Sequence, residues 1–253
     1  MGRTLRVDVP VLDMWSKPKS NSERVNQLIC NETVTRLSET GDFVRIRCED
    51  SYVGWVRADH LHADIISAHS WFVDVPVASL LDGSTGRFVG KLSFGTRISI
   101  LERTETFGRI NFRGKDAWIS LGCVSRKPRS KQAWRKIKSY LENLIGTPYL
   151  WGGRSGFGLD CSGIVQLVFN SCGYSLPRDS SDQRKSGRRV SVMNLKPGDL
   201  IFSPGHVSVY YGTGQIIHSS ARAGGVFVEN LMPGSPNCRS DIFEKIELVK
   251  RLL

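Results

Sequence analysis

Asp160-Cys161-Ser162-Gly163-Ile164-Val165-Gln166-Leu167-Val168-Phe169 decides the fold of the C-terminal half. Ile164, Val165, Leu167, Val168 and Phe169 recur at helical spacing, and Gly173 supplies the stop. Ahead of them, Gly152, Gly153, Gly156 and Gly158 carry a backbone entropy cost that a helix interior does not tolerate. The helix is therefore expected to begin at Cys161. At a helix start, unpaired N–H groups and the dipole favour the thiolate, the nucleophilic form of cysteine. Asp160 works against this, because a neighbouring carboxylate raises a thiol pKa, and an imidazolium would have to outweigh it.

Two histidines follow. Asp199–Phe202 and Val207–Tyr211 read as strands, Gly212-Thr213-Gly214 is a hairpin turn signal, and Gln215–Ser219 returns. Pairing Tyr211 with Gln215 sets Ser208 opposite His218. Side-chain alternation then puts His206 and His218 on one face as diagonal neighbours, roughly 7–8 Å apart at the backbone. In a cysteine hydrolase one imidazole takes the thiol proton while a third polar group orients it. Cys161 is thus the expected nucleophile, His206 the base and His218 its orienter.

The C-terminal motifs fall in a recognisable order: Pro148-Tyr149-Leu150-Trp151-Gly152-Gly153, Asp160-Cys161-Ser162-Gly163, Leu176-Pro177-Arg178-Asp179-Ser180, Lys196-Pro197-Gly198-Asp199-Leu200, then the histidines. With them, residues 140–230 resemble the NlpC/P60 family of bacterial cell-wall cysteine peptidases. The resemblance implies an α+β, papain-like fold, an antiparallel sheet packed on the nucleophile's helix. It also implies that Asp160 and Ser162 face the substrate side of a cleft that Ser180 and Trp151 line. The backbone N–H of Cys161 is then an oxyanion-hole candidate. Asp160 can pair with a substrate ammonium. It can equally serve as a helix N-cap.

The N-terminal half repeats itself. Leu28–Val34, Gly41–Ile46 and Gly54–Val56 are echoed by Leu92–Ile98, Phe107–Phe112 and Ala117–Ile119 at an offset of about 64 residues. Short alternating strands with Gly and Asp turns suggest two small β-barrels. They resemble bacterial SH3-like domains, at residues 5–66 and 68–126, ahead of a catalytic domain at 127–253 that opens with a basic linker helix. In that helix Trp134, Ile137, Leu141, Leu144 and Ile145 form the apolar face.

Asp50–Trp55 looks like the segment through which the first barrel of two-module γ-D-glutamyl peptidases closes one end of the cleft, and this makes Tyr52 a candidate substrate contact. Glu32 matches an acidic position that binds the substrate's free amine there. The resemblance thus implies cleavage of the γ-D-glutamyl–diamino acid bond in murein peptides with a free N-terminal L-Ala, a recycling reaction. The alternatives are an exported hydrolase acting on intact peptidoglycan stems and a non-catalytic peptidoglycan-binding protein.

Charge and cysteine content narrow the field. Residues 1–125 hold 16 Lys+Arg and 15 Asp+Glu, leaving 19 and 9 of the chain's 35 and 24 for residues 126–253, so nearly all of the net +11 lies in the second half. Such a field suits acidic peptides. No helix-turn-helix, zinc or RNA-binding signature accompanies it, so no nucleic-acid partner is expected. Residues 1–13 lack an apolar run of signal-peptide length, and no later stretch suits a membrane. With Cys161 reserved as a thiol, the other five of six cysteines cannot pair completely. A reducing cytoplasm is the expected compartment. His60, His62 and His69 lack a nearby cysteine pair and read as surface or packing residues, so neither metal nor cofactor is expected.

Overall fold

Residues 3–63, 69–236 and 238–253 are described by the computed structural model. The chain divides into two compact units, residues 1–127 with 155–157 and residues 128–154 with 158–253. The expected boundary between the barrels, at residues 66–68, lies outside the described residues.

In the first unit the two copies of the repeat build matching strands. Phe43–Cys48 lies between Thr33–Thr40 and Val53–Arg57, with Val44 opposite Val56. Its counterpart Phe107–Phe112 pairs with Lys115–Ser120, Ile110 opposite Ala117. Inward residues alternate with outward ones, as one buried face demands. Ile46 and Ile110, at equivalent places, are both buried, among Val7, Met14 and Val56 in one core and Leu80, Leu92 and Ile119 in the other. The cores are not wholly separate. Cys30, from the first copy, is packed in the core of the second, and the next residue, Asn31, donates its side-chain N–H to Arg97 O at 2.9 Å.

The second unit contains helices α1 (Trp134–Asn143), α2 (Cys161–Ser171), α3 (Ser180–Gln183) and α4 (Ser240–Phe243). Its main strands are β1 (Arg188–Val190), β2 (Leu200–Ser203), β3 (His206–Gly212), β4 (Gln215–Ser220), β5 (Gly225–Asn230) and β6 (Leu248–Arg251). They form one sheet in the order β1-β6-β2-β3-β4-β5, antiparallel throughout. Helix α2 packs on β3 and β4, with α1 against it. This is the α+β, papain-like arrangement that the family resemblance implied. Among the described residues no helix is long and apolar enough to cross a membrane.

Helix α2 is buried from Ser162 to Phe169, which fits a segment apolar on every side. Asp160 caps its start, its carboxylate accepting from Gly163 N–H at 2.7 Å. Gly163 has to be glycine, because a Cβ there would lie 2.1 Å from Gly153 O. The helix ends as predicted: Gly173 takes φ +87°, and Tyr174 N–H reaches back to Phe169 O at 3.0 Å. In α1, Ile137, Tyr140 and Leu141 are buried as its apolar face requires. Ile145 lies beyond the helix end and is exposed, so it drops out of that face.

The β3–β4 hairpin differs from expectation at its tip. Gly212, not Tyr211, stands opposite Gln215, because Thr213 and Gly214 both take positive φ in a two-residue turn whose twist suits the flanking strands. A bulge between Tyr210 and Gly212 absorbs the extra residue. Beyond it Tyr210 faces Ile216 and Val209 faces Ile217, the register that carries Ser208 opposite His218.

Candidate active site

The strand register brings the two imidazoles together. His206 Nε2 lies 2.7 Å from His218 Nδ1, with the ring planes at 83°. His218 is fully buried, whereas His206 keeps partial exposure. On the far side, His218 Nε2 lies 2.5 Å from Glu229 Oε2 on β5. Arg239 donates from Nη1 to the same oxygen at 2.8 Å and holds Asp241 through two bonds of 2.8 Å.

Cys161 is the first residue of α2, and the backbone N–H groups of Ser162 and of Val207, the neighbour of His206, favour its thiolate. Burial, then the Asp160 carboxylate, pushes its thiol up to about 11 against those donors and the Arg178 charge. Burial also drives His206 down to about 3, aided by His218 and Arg239. At neutral pH the unliganded pair is therefore thiol and neutral imidazole. Alkylation of Cys161 by iodoacetamide should accordingly climb about tenfold per pH unit from pH 6 to 9, because only the thiolate reacts. A plateau across that range, seen by mass spectrometry of the Cys161 peptide, would instead reveal a preformed thiolate–imidazolium pair.

The residues flanking the cysteine are engaged internally. Asp160 Oδ1 accepts from Gly163 N–H, Ser162 Oγ and Arg178 Nη1, and Oδ2 from Gly152 N–H and Arg178 Nη2. Five donors meet a carboxylate with about four lone-pair positions. Ser162 is buried and accepts from Arg178 Nη1 at 2.8 Å. Ser180 opens α3 and is partly exposed, and Trp151 is 61% exposed. Tyr52 and Glu32 belong to the first unit. Tyr52 packs on the core of the first barrel, and Glu32 Oε2 accepts from Ile29 N–H at 2.9 Å. His62 pairs with Asp8 at 2.9 Å, and His69 Nδ1 lies 3.3 Å from Ser99 Oγ.

Four neighbours of the site carry no role in the sequence reading. Arg178, quoted there within a motif, is 1% exposed and neutralises Asp160. Tyr149, quoted likewise, lies close enough that the Cys161 and Asp160 charges, after burial, push its phenol upward. Glu229 was within reach of the register argument: pairing Ser220 with Gly225 puts Phe227 opposite His218 and Glu229 on its diagonal. Arg239 follows a loop of irregular sequence, and nothing local announces it.

Comparisons with known proteins fit this layout. Residues 146–237 match the NlpC/P60 family, and residues 14–61 match the bacterial dipeptidyl-peptidase Sh3 domain. A gamma-D-glutamyl-L-lysine dipeptidyl-peptidase of Bacillus subtilis (strain 168) is 29% identical over 211 residues, covering 76% of this chain and 71% of its own. A probable endopeptidase NlpC homolog of Haemophilus influenzae is 38% identical over 122 residues, 46% of this chain and 67% of its own. In fold, the crystal structure of an NlpC/P60 family protein from Bacillus cereus superposes with a TM-score of 0.85 at 23% identity, over 98% of this chain and 99% of the other. The chain belongs to the NlpC/P60 family, a family of peptidases, and carries a bacterial SH3 domain ahead of the family domain.

Proposed function

We propose that this chain is a cysteine peptidase that hydrolyses the γ-D-glutamyl–diamino acid bond of murein peptides bearing a free N-terminal L-Ala, in the recycling of wall fragments in the cytoplasm. The observation that carries the reading is Cys161 at the start of α2, a helix packed on the strand that His206 begins, with His206 Nε2 at 2.7 Å from His218 Nδ1. The substrate class leans on the Bacillus subtilis relative, whose match extends over 76% of the chain and is not confined to the catalytic unit.

With His206 Nε2 turned to His218, Nδ1 is the nitrogen left to take the thiol proton. Sγ attacks the γ-carbonyl carbon as that proton moves to Nδ1, and the oxyanion accepts from the Cys161 N–H. Collapse breaks the C–N bond, and the leaving amine takes the proton from His206. Water, deprotonated by His206, then hydrolyses the thioester and restores the thiol.

Incubation with L-Ala-γ-D-Glu-diaminopimelate, with its N-acetylated form and with intact sacculi, followed by mass spectrometry, tests the substrate. The free peptide should be cut and the acetylated one cut at least roughly 100-fold more slowly, since a site built for an amine rejects one that is blocked. Equal rates on the two peptides would remove the free-amine requirement. Release of fragments from sacculi would move the activity to intact wall.

A further inference from the structure

The groups behind Cys161 leave little freedom in where hydrogens sit. Arg239 can only donate, so Glu229 Oε2 accepts from it at 2.8 Å. An ionised carboxylate can only accept, so His218 Nε2, 2.5 Å from that oxygen, carries the hydrogen. In its neutral form His218 then has its lone pair on Nδ1, and His206 Nε2, 2.7 Å away, is the donor to it. Neutral His206 is left with its lone pair on Nδ1, the nitrogen that the proposed attack requires.

We propose that Glu229, held by Arg239, is a positioning residue of the reaction: it fixes the His206 tautomer through His218 and holds the positive charge that forms when Cys161 attacks. The inference rests on the reading of Cys161 and His206 given above. As the Sγ–C bond forms and the carbonyl π pair moves to oxygen, the S–H proton passes to His206 Nδ1. The Nε2 hydrogen of His206 passes to His218 Nδ1. The imidazolium is then His218, whose Nε2–H still points at the Glu229 carboxylate. When the leaving amine takes the proton from His206 Nδ1, the other hydrogen returns from His218 to His206 Nε2.

The charges around the pair favour this seat. Glu229 faces His218 from β5, Arg239 and Asp241 from the start of α4, and the Asp160–Arg178 pair stands on the Cys161 side. Arg239 is shared between two carboxylates, so the Glu229–Arg239–Asp241 set keeps one net negative charge. Arg222, 3.6 Å from Asp241, is 71% exposed and screened by water. The His218 bond, opposed by burial and reinforced by Arg239, holds Glu229 down to about 2, so it stays ionised throughout the working range. His206, driven down by burial, would hold a proton poorly by itself.

Glu229→Gln and Glu229→Asp, with Cys161→Ala as control, test the assignment on L-Ala-γ-D-Glu-diaminopimelate. Glutamine keeps the shape and an accepting oxygen but removes the charge. For Glu229→Gln, kcat should fall roughly 10²- to 10⁴-fold, with KM within about threefold of wild type and a melting curve that shows the variant folded at the assay temperature. Glu229→Asp should recover part of the loss. Histidine ¹⁵N spectra of the unmodified protein should show His206 protonated at Nε2 and bare at Nδ1. A Glu229→Gln kcat within about threefold of wild type, or an Nδ1–H tautomer on His206, would overturn this inference alone. Turnover that survives Cys161→Ala would overturn the reading beneath it.

Discussion

Cys161→Ala is expected to lower hydrolysis of L-Ala-γ-D-Glu-diaminopimelate by a factor on the order of 10⁶, as loss of a covalent nucleophile does elsewhere. Melting should scarcely change. The Asp160 cap is made by its own side chain to Gly163 N–H and does not need the sulfur. The loss of one small apolar group costs about 0.8 kcal/mol, little beside the stability of a domain of this size. Progress curves and thermal melts on one preparation separate the two effects. A variant that still turns over would exclude the covalent mechanism.

Arg178→Met should instead be a folding defect. Arg178 is 1% exposed and donates to both oxygens of Asp160 and to Ser162 Oγ. Methionine fills much of the volume but leaves a buried carboxylate with N–H and hydroxyl donors and no counter-charge. Breaking a buried ion pair from one side costs about 3–5 kcal/mol. Adding Asp160→Asn should restore part of that, because the amide oxygen still caps α2 and no charge remains to neutralise. Urea unfolding of the full chain, resolved into the transitions of its two units, would show the catalytic unit's midpoint fall and then recover. An unshifted midpoint in Arg178→Met would mean that Asp160 is solvated well enough without its partner.

Periodicity in the sequence located what depends on it. Helix α2 begins at Cys161 because the glycines before it and the apolar spacing after it agree, and His206 meets His218 because strand alternation has only two faces to choose from. The hairpin tip is offset by one residue from the expected pairing, since the positive φ of Thr213 is a three-dimensional choice that threonine does not advertise. The offset leaves the histidines in register, because the bulge lies between them and the turn. Glu229 obeyed the same alternation but required a second hairpin to be laid beside the first. Arg178 and Arg239 were out of reach for a different reason. Each is a long side chain entering from an irregular segment, and whether such a side chain turns to solvent or to a buried carboxylate is settled by packing that no local pattern encodes. Asp160, legible both as an amine contact and as a cap, is engaged as the cap and as the partner of Arg178.

Cys30 bears on how the N-terminal half can be handled. Its side chain lies in the apolar interior of the other copy, and burial pushes its thiol up to about 12. Asn31, at φ +68°, and Glu49 add polar ties to Arg97 across the same seam. A stretch that reads as two tandem modules is thus one compact unit, in which one copy has lent a plug to the other. Excising the first copy would tear a hole in the second, and swapping it for a homologous module would need position 30 matched to the receiving interior. The seam visible in the letters is not a seam along which the protein comes apart.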